Sequence, residues 1–120
     1  MSADRGAGES GDRPTHFIGY WRDPDEPESA SLPAPEDWID LGWDPVERAA
    51  VLDYLRRGRT HRFYSGYARC RLGCPKGGMG NRDLTDGVYA WPSGLAHYVE
   101  THGVKPPEAF LAHVRRKLRG

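Results

Sequence analysis

The chain has little of several features that define common protein classes. It has two cysteines among 120 residues, and apolar residues make up 38% of its composition, below the roughly 45–50% of globular chains, a value that also counts glycine. No apolar run approaches the ~18–20 residues of a membrane span, and the N-terminal region lacks the apolar stretch of a signal peptide. These shortages predict one soluble, cytoplasmic domain with no membrane partner, whose cysteines are metal ligands or free thiols rather than a disulfide.

The net charge is zero, but the two signs are separated along the chain. Residues 1–47 hold twelve acidic and three basic residues, whereas residues 48–120 hold five acidic and fourteen basic ones. This separation is compatible with an acidic arm that lies on a basic body, with a basic body that meets an anionic partner, or with arginines spread over solvated faces. The last of these is the ordinary explanation for surface arginines.

The N-terminal part of the chain is predicted to be an arm. Residues 1–36 are acidic and rich in proline and glycine, so they offer too little apolar surface to offset the entropy of ordering them, and we expect disorder. A short aromatic segment, residues 16–22, interrupts this arm and can form a strand or dock on the core. Residues 37–120 carry regular apolar patterns and form the predicted folded domain.

Three helices are predicted in this domain, because apolar residues recur there at helical spacing. Asp44 and Glu47 predict a capping box for the first helix, and Val46 belongs to its inward apolar stripe. In the third helix Leu118 is expected to point inward, while basic residues cluster at the C-terminal end, where cations complement the helix dipole. Proline opens each helix and glycine ends the first two, from Pro45 to Gly58, from Pro92 to Gly103, and from Pro106-Pro107 onwards.

Two further segments have the composition of strands. Residues 62–72 are rich in aromatics and run into the first cysteine. Residues 88–91 form a second strand, and the Asp86-Gly87 dipeptide before it is a strong hairpin-turn signal. The predicted fold class is therefore α+β, with a short antiparallel hairpin and about three helices.

Two cysteines and two histidines carry the clearest chemical signal. Cys70 and Cys74 are separated by three residues, and His97 and His102, which follow after twenty-two residues, are separated by four. This order falls within the spacing of Cys2His2 zinc sites, in which a glycine-rich turn supplies two thiolates and a helix supplies two imidazoles. We therefore predict a structural Zn²⁺ bound by these four residues, which stabilises a domain whose small core provides only ~3–5 kcal/mol by itself.

Alternatives to this ligand set stay open. On an ideal helix, residues five apart point about 140° away from each other, so His97 and His102 converge only if the end of the helix loosens. His61, Asp86 or His113 can take the place of His97. The two cysteines can also be buried structural thiols or, less in keeping with their three-residue spacing, a redox pair.

A set of motifs between residues 43 and 114 resembles a widespread family of short bacterial proteins. The family motifs are a YLRxG helix end, a GYxxCRxCG-like knuckle, a G-N loop, TDG, and WPxGLAHYVxxH. They are present here as Tyr54 to Gly58, Gly66 to Cys74, Gly80-Asn81, Thr85 to Gly87, and Trp91 to His102. The chain departs from the family at the knuckle, where three residues instead of two separate the cysteines. The resemblance implies a shared domain but no established activity.

Three functions are compatible with these features. We expect first a small cytosolic zinc-binding protein, a scaffold rather than an enzyme, whose surface binds another protein and for which Trp21 is a candidate surface anchor. The first alternative is a nucleic-acid-binding protein, with arginines for phosphates and Phe63, Tyr64 and Tyr67 for base stacking. The second is a metal-dependent enzyme, which needs an open metal position that a site with four protein ligands does not have.

Overall fold

The structure, a computed structural model, describes residues 14–64, 69–73 and 79–120. Within these residues the chain forms four strands and three α-helices, so the predicted α+β class with three helices is confirmed. None of these helices has the length and apolar character of a membrane span. The strands are β1 (His16–Phe17), β2 (Arg59–Phe63), β3 (Arg82–Thr85) and β4 (Tyr89–Pro92), and the helices are α1 (Pro45–Arg56), α2 (Leu95–His102) and α3 (Glu108–Arg119). Two short 3-10 helices span Pro27–Ser29 and Pro35–Trp38.

The strands form one mixed sheet in the order β1-β4-β3-β2. β3 and β4 are the two arms of the predicted hairpin, and β1 pairs with β4 in parallel. Asp86 makes the turn, since its Oδ1 accepts hydrogen bonds from the backbone N–H groups of Val88 at 2.9 Å and Tyr89 at 2.8 Å. Aspartate favours such turns because its short side chain reaches the backbone two residues on. The hairpin predicted from Asp86-Gly87 is therefore confirmed.

One face of the sheet carries the core. Leu84 of β3 lies opposite Trp91 of β4, and both side chains are buried. The Trp91 indole N–H donates to the Leu55 carbonyl of α1 at 3.1 Å, which satisfies a polar group that burial would otherwise leave unpaired. Phe110 of α3 packs edge-on against Trp91, with ring centroids 5.8 Å apart. Because side chains alternate along a strand, Asp83 lies on the opposite face from this core.

Gly58 marks a close approach of the chain to the core, between α1 and β2. A Cβ at this position would lie 2.8 Å from Trp91 Cζ2 and 2.9 Å from Leu84 Cβ. We expect Gly58→Ala to lower the free energy of unfolding by about 1–3 kcal/mol, the usual cost of overpacking. Urea denaturation measures this loss, and Gly42→Ala is the control, because its Cβ would meet only Asp40 Oδ1 at 3.5 Å. An equal loss in both variants would contradict the packing explanation.

Part of the predicted arm belongs to the folded body. Residues 14–36 are the described part of it, and they include β1 and a 3-10 helix. Trp21 is 8% exposed and packs edge-on against Trp38 and Tyr98, with centroids 5.0 and 5.4 Å apart. The expectation of disorder is wrong for these residues, because the apolar surface of the aromatic segment offsets the cost of ordering its acidic neighbours. The expectation that Trp21 is a surface anchor is wrong for the same reason, and residues 1–13 lie outside the described residues.

The acidic part of the chain, residues 1–47, also contacts the basic part, residues 48–120. Asp23 Oδ2 lies 3.5 Å from Arg71 Nη1, and Asp40 Oδ2 lies 3.7 Å from Lys105 Nζ. These pairs are partly exposed, so each contributes little stability, about 0–1 kcal/mol. Of the three interpretations of the charge separation, they support an acidic segment that lies on a basic body.

The start of α1 follows the sequence expectation only in part. Asp44 caps the helix, since its Oδ1 accepts a hydrogen bond from the Val46 N–H at 3.3 Å. The predicted capping box is wrong, because Glu47 instead accepts hydrogen bonds from the Trp43 indole at 2.9 Å and from Arg115 Nε at 3.0 Å. The bond from Trp43 is the largest cause that holds the pKa of Glu47 below its ordinary value. Glu47 therefore connects α1 to α3 rather than closing its own helix end.

Three other expectations about the elements are wrong. Val46 and Leu118, predicted to point inward, are 75% and 55% exposed. Pro92 ends β4 rather than opening α2. The strand expected over residues 62–72 is β2, which begins earlier and ends at Phe63; residues 69–72 are not strand, and residues 65–68 lie outside the described residues. Apolar spacing identifies a stripe, but it does not say how far along that stripe the neighbouring element extends.

Candidate metal centre

Cys70 lies in the short described segment 69–73, which approaches α2. Its thiol is free and buried. The chain turns directly after it, because the Gly73 N–H donates to the Cys70 carbonyl at 3.3 Å. The Arg71 N–H donates to the Tyr98 hydroxyl of α2 at 2.8 Å. Tyr98, which sequence reasoning did not single out, thus holds the cysteine segment against the helix that carries both histidines.

Both histidines of the predicted site lie on α2, five residues apart. The helix ends at His102, and Gly103 follows with a φ of +69°, the left-handed conformation in which glycine commonly ends a helix. The rings of His97 and His102 lie edge to face, with centroids 5.2 Å apart. The end of the helix is widened there, because the Gly103 N–H donates to the Tyr98 carbonyl, five residues earlier instead of four. The condition that the sequence set for their convergence is therefore met.

The thiol and the two imidazoles form a compact group. Cys70 Sγ lies 3.3 Å from His102 Nε2, and one ligand atom from each of Cys70, His97 and His102 lies within 4.8 Å of the others. In a tetrahedral zinc site, a Zn–S bond of ~2.3 Å and a Zn–N bond of ~2.0–2.1 Å place sulfur and nitrogen about 3.5 Å apart. The group therefore has the donor atoms, and nearly the spacing, that Zn²⁺ requires. The same donors also accept other transition metals.

The remaining candidate ligands are placed differently. Cys74, the second predicted thiolate, lies outside the described residues. Among the residues that the structure describes, only the three just named form a group able to hold a metal. His61 is exposed on β2, and Asp86 and His113 contact each other at 2.7 Å. None of these three therefore takes the place of His97.

Asp86 belongs to a second, separate polar cluster. Its Oδ2 accepts hydrogen bonds from the Tyr54 hydroxyl of α1 and from His113 Nε2 of α3. Burial by itself would raise the pKa of Asp86, but the bonds from Tyr54, from the Tyr89 and Val88 backbone and from His113 hold it below its ordinary value. Burial and this carboxylate also raise the pKa of Tyr54. At neutral pH the cluster thus pairs an ionised carboxylate with a protonated phenol and joins the hairpin to two helices.

Comparisons with protein-family models, with curated proteins and with solved structures found no match for this chain. The function is therefore inferred from the residues of the site, and the resemblance to the bacterial family stays a prediction.

The number of protein ligands decides what the metal group can do. Three protein ligands and a water molecule give an open position, at which zinc activates water or polarises a substrate. Four protein ligands close the site and leave it a structural role. Cys74 is the residue on which this distinction depends.

Proposed function

We propose that this chain is a small zinc-binding protein whose metal site is structural and whose surface binds another protein. The observation that supports the metal site is the group of Cys70, His97 and His102, in which a free thiol lies 3.3 Å from an imidazole nitrogen. Cys74 is the proposed fourth ligand. With four protein ligands the zinc has no position for water, which favours a scaffold over an enzyme.

The structural role follows from what the ligands connect. Cys70 belongs to a segment without regular secondary structure, whereas both histidines belong to α2, whose Leu95 and Val99 are fully buried in the core. A zinc bound by both elements ties the loop to the packed helix. Because such a site forms only in the folded chain, its binding free energy adds to the free energy of unfolding.

Elemental analysis tests the metal proposal. We expect one zinc per chain in protein purified without chelator, and loss of that zinc in Cys70→Ser, because the variant lacks the thiolate ligand. His61→Ala is the matched control, since His61 is exposed on β2 and is not part of the group, and it should keep its zinc. Wild-type protein that holds no metal would contradict the proposal.

Cobalt substitution separates the scaffold from the metal-dependent enzyme. Co²⁺ bound by cysteine shows a sulfur-to-metal charge-transfer band whose intensity rises with the number of thiolates. We expect Cys74→Ser to weaken this band by about half, as the loss of one of two thiolates requires. A band that Cys74→Ser leaves unchanged would indicate three described ligands with an open position and would support the enzyme instead.

An apolar groove between α1 and α3 is the proposed protein-binding surface. It has a volume of about 310 Å³. Val46 and Leu118, both largely exposed, lie on its sides, and the buried Val51 and Leu111 form its floor. Exposed apolar residues that share one groove are typical of interaction sites. Arg119 lines the same groove in the basic last turn of α3, but Asp44 and Glu47 also line it. Because neither sign of charge dominates, the proposed partner is an apolar segment.

Leu118→Glu tests this surface, because it places a charge on the apolar side of the groove. We expect the variant to lose a partner that co-purifies with the wild type. Phe63→Glu is the matched control, because Phe63 is 68% exposed but lies on β2. Retention of the partner by Leu118→Glu would show that the groove is not the binding surface.

The nucleic-acid alternative is supported by the edge strand β2. All its residues are exposed, and Arg62 and Phe63 place a cation beside an exposed aromatic ring. Other basic residues are engaged by acidic ones, as Arg56 is by Glu100 at 2.9 Å, which reduces the basic surface. Salt-dependent binding of single-stranded nucleic acid that Arg62→Ala weakens would favour this function over the protein partner.

A further inference from the structure

A cavity of about 440 Å³ lies beside the proposed metal site, bounded by the residues on either side of Cys70 and by the polar end of β3. Its volume falls within the ~300–1,000 Å³ of small-molecule sites. Its walls combine aromatic rings with guanidinium groups, from Tyr20, Trp21, Tyr64, Tyr98, Arg69 and Arg71. Neither the metal site nor the groove between α1 and α3 accounts for this combination.

Asp83 is the residue that points to a ligand. It is only 5% exposed and lines the cavity. Its Oδ2 accepts a hydrogen bond from the Tyr64 hydroxyl at 2.5 Å. Tyr20 lies beside it, and burial together with this carboxylate raises the pKa of Tyr20. Its Oδ1 is buried and has no hydrogen-bond partner in the described part of the chain. A buried acceptor in this condition costs free energy that a ligand's donor recovers.

Trp21 supplies the complementary group. Its indole N–H is also buried without a hydrogen-bond partner among the described residues, and Trp21 lines the same cavity. The Tyr20 hydroxyl, beside Asp83, is a third buried atom of this kind among the described residues. The cavity thus offers one acceptor and two donors among aromatic rings, and Asp83 and Trp21 form one acceptor–donor pair. The edge of an amino-bearing nucleobase presents the matching pair, an exocyclic amino group that donates and an adjacent ring nitrogen or carbonyl that accepts. Aromatic side chains also stack on the faces of such bases.

The two arginines supply a place for a phosphate. Arg71 lines the cavity, and its Nη1 lies 3.5 Å from Asp23 Oδ2. Arg69 is exposed and lines the same cavity. Guanidinium groups match the geometry of phosphate oxygens and bind them with two parallel hydrogen bonds. Glu26 also lines the cavity, and its carboxylate disfavours an anion in its own vicinity.

We propose that this cavity binds a nucleoside monophosphate with an amino-bearing base. The base lies among the aromatic rings, donates to Asp83 and accepts from Trp21, and the phosphate lies at Arg69 and Arg71. Both unpaired protein atoms have almost no accessible surface, so binding includes a side-chain movement. Tyr64 is 44% exposed at the cavity wall and is the side chain placed to move.

Calorimetric titration of the full, metal-loaded chain tests this site with AMP and with its two halves, adenosine and ribose 5-phosphate. We expect AMP to bind about tenfold or more tightly than either half, and Asp83→Asn to weaken AMP binding about tenfold, because the amide places a donor where the base needs an acceptor. Arg69→Ala should weaken the binding of AMP but not of adenosine. Arg116→Ala, at an exposed position on α3, is the matched control and should bind as the wild type does.

A second measurement keeps the proposal testable if Asp83→Asn fails to fold. The indole N–H resonance of Trp21, identified by its absence in Trp21→Phe, should shift when AMP is added to the wild type. If a short single strand of adenylates binds more tightly than AMP, the ligand of the cavity is a nucleic acid strand. If the strand and AMP bind equally, the ligand is the free nucleotide. If AMP produces no heat and no shift of the Trp21 resonance, the proposal is overturned, whatever the zinc content of the protein.

Discussion

Removal of the metal by a chelator is expected to lower the melting temperature by at least about 10 °C. A structural zinc contributes ~10–16 kcal/mol to the folding of a zinc-finger peptide. Here the site connects one loop segment, which carries Cys70, to a helix that is already packed, so we expect a smaller part of this, about 3 kcal/mol. In a small domain each 1 kcal/mol shifts the melting temperature by roughly 4–8 °C. Scanning calorimetry with and without chelator measures the difference.

The Cys70→Ser variant is the control for this effect, because it removes a ligand without any chelator. Its melting temperature should already be close to that of the chelated wild type, and the chelator should lower it no further. Returning zinc should restore the wild type and leave the variant unchanged. Equal responses of the two proteins to the chelator would show that the stabilising metal is bound elsewhere.

The ends of several elements could be predicted because each depends on local chemistry. Asp44 caps α1, Asp86 makes the hairpin turn, and Gly103 ends α2 with a positive φ. In each case one residue bonds or bends its own neighbouring backbone, and sequence spacing reveals this directly. Val46 and Leu118 were mispredicted, because their exposure depends on where a distant helix begins and ends. Apolar periodicity contains no information about that.

The candidate site could be predicted in its residue types but not in its geometry. Spacing grouped Cys70 with His97 and His102, and the structure brings these three together. The geometry of an ideal helix predicts that the two histidines point apart, and this prediction fails because the helix widens at its end, where the Gly103 N–H bonds to the Tyr98 carbonyl. The sequence did not indicate a role for Asp83, because an aspartate in a short polar segment is expected to be exposed at the surface. It is buried because β3 lies between two other strands and because the Tyr64 and Tyr20 side chains lie against its carboxylate.

Asp86→Asn is expected to lower the free energy of unfolding at neutral pH by about 2–3 kcal/mol, the range for buried hydrogen bonds to a charged group. The asparagine oxygen can still accept from the backbone of Val88 and Tyr89, so the turn is kept. Its amide group donates and therefore cannot accept from Tyr54 or His113, so both lose their hydrogen bonds to a charged acceptor in the protein interior. The loss of stability therefore reports the hydrogen bonds that connect the hairpin to α1 and α3, rather than those that form the hairpin turn.

The pH dependence of this loss distinguishes an ionised Asp86 from a neutral one. Although burial opposes it, the hydrogen bonds to Asp86 hold its pKa below the ordinary value in the folded chain. A carboxyl group of this kind stabilises the fold above its unfolded pKa of about 3.9, and the contribution disappears as the pH falls through the native pKa. The difference between wild type and Asp86→Asn should therefore be full above about pH 5 and shrink below about pH 4. Urea denaturation across this range measures it, with Asp53→Asn as the control, because Asp53 is 60% exposed in its pair with Arg57. A difference that grows on acidification would mean that Asp86 is protonated in the folded protein and acts as a donor.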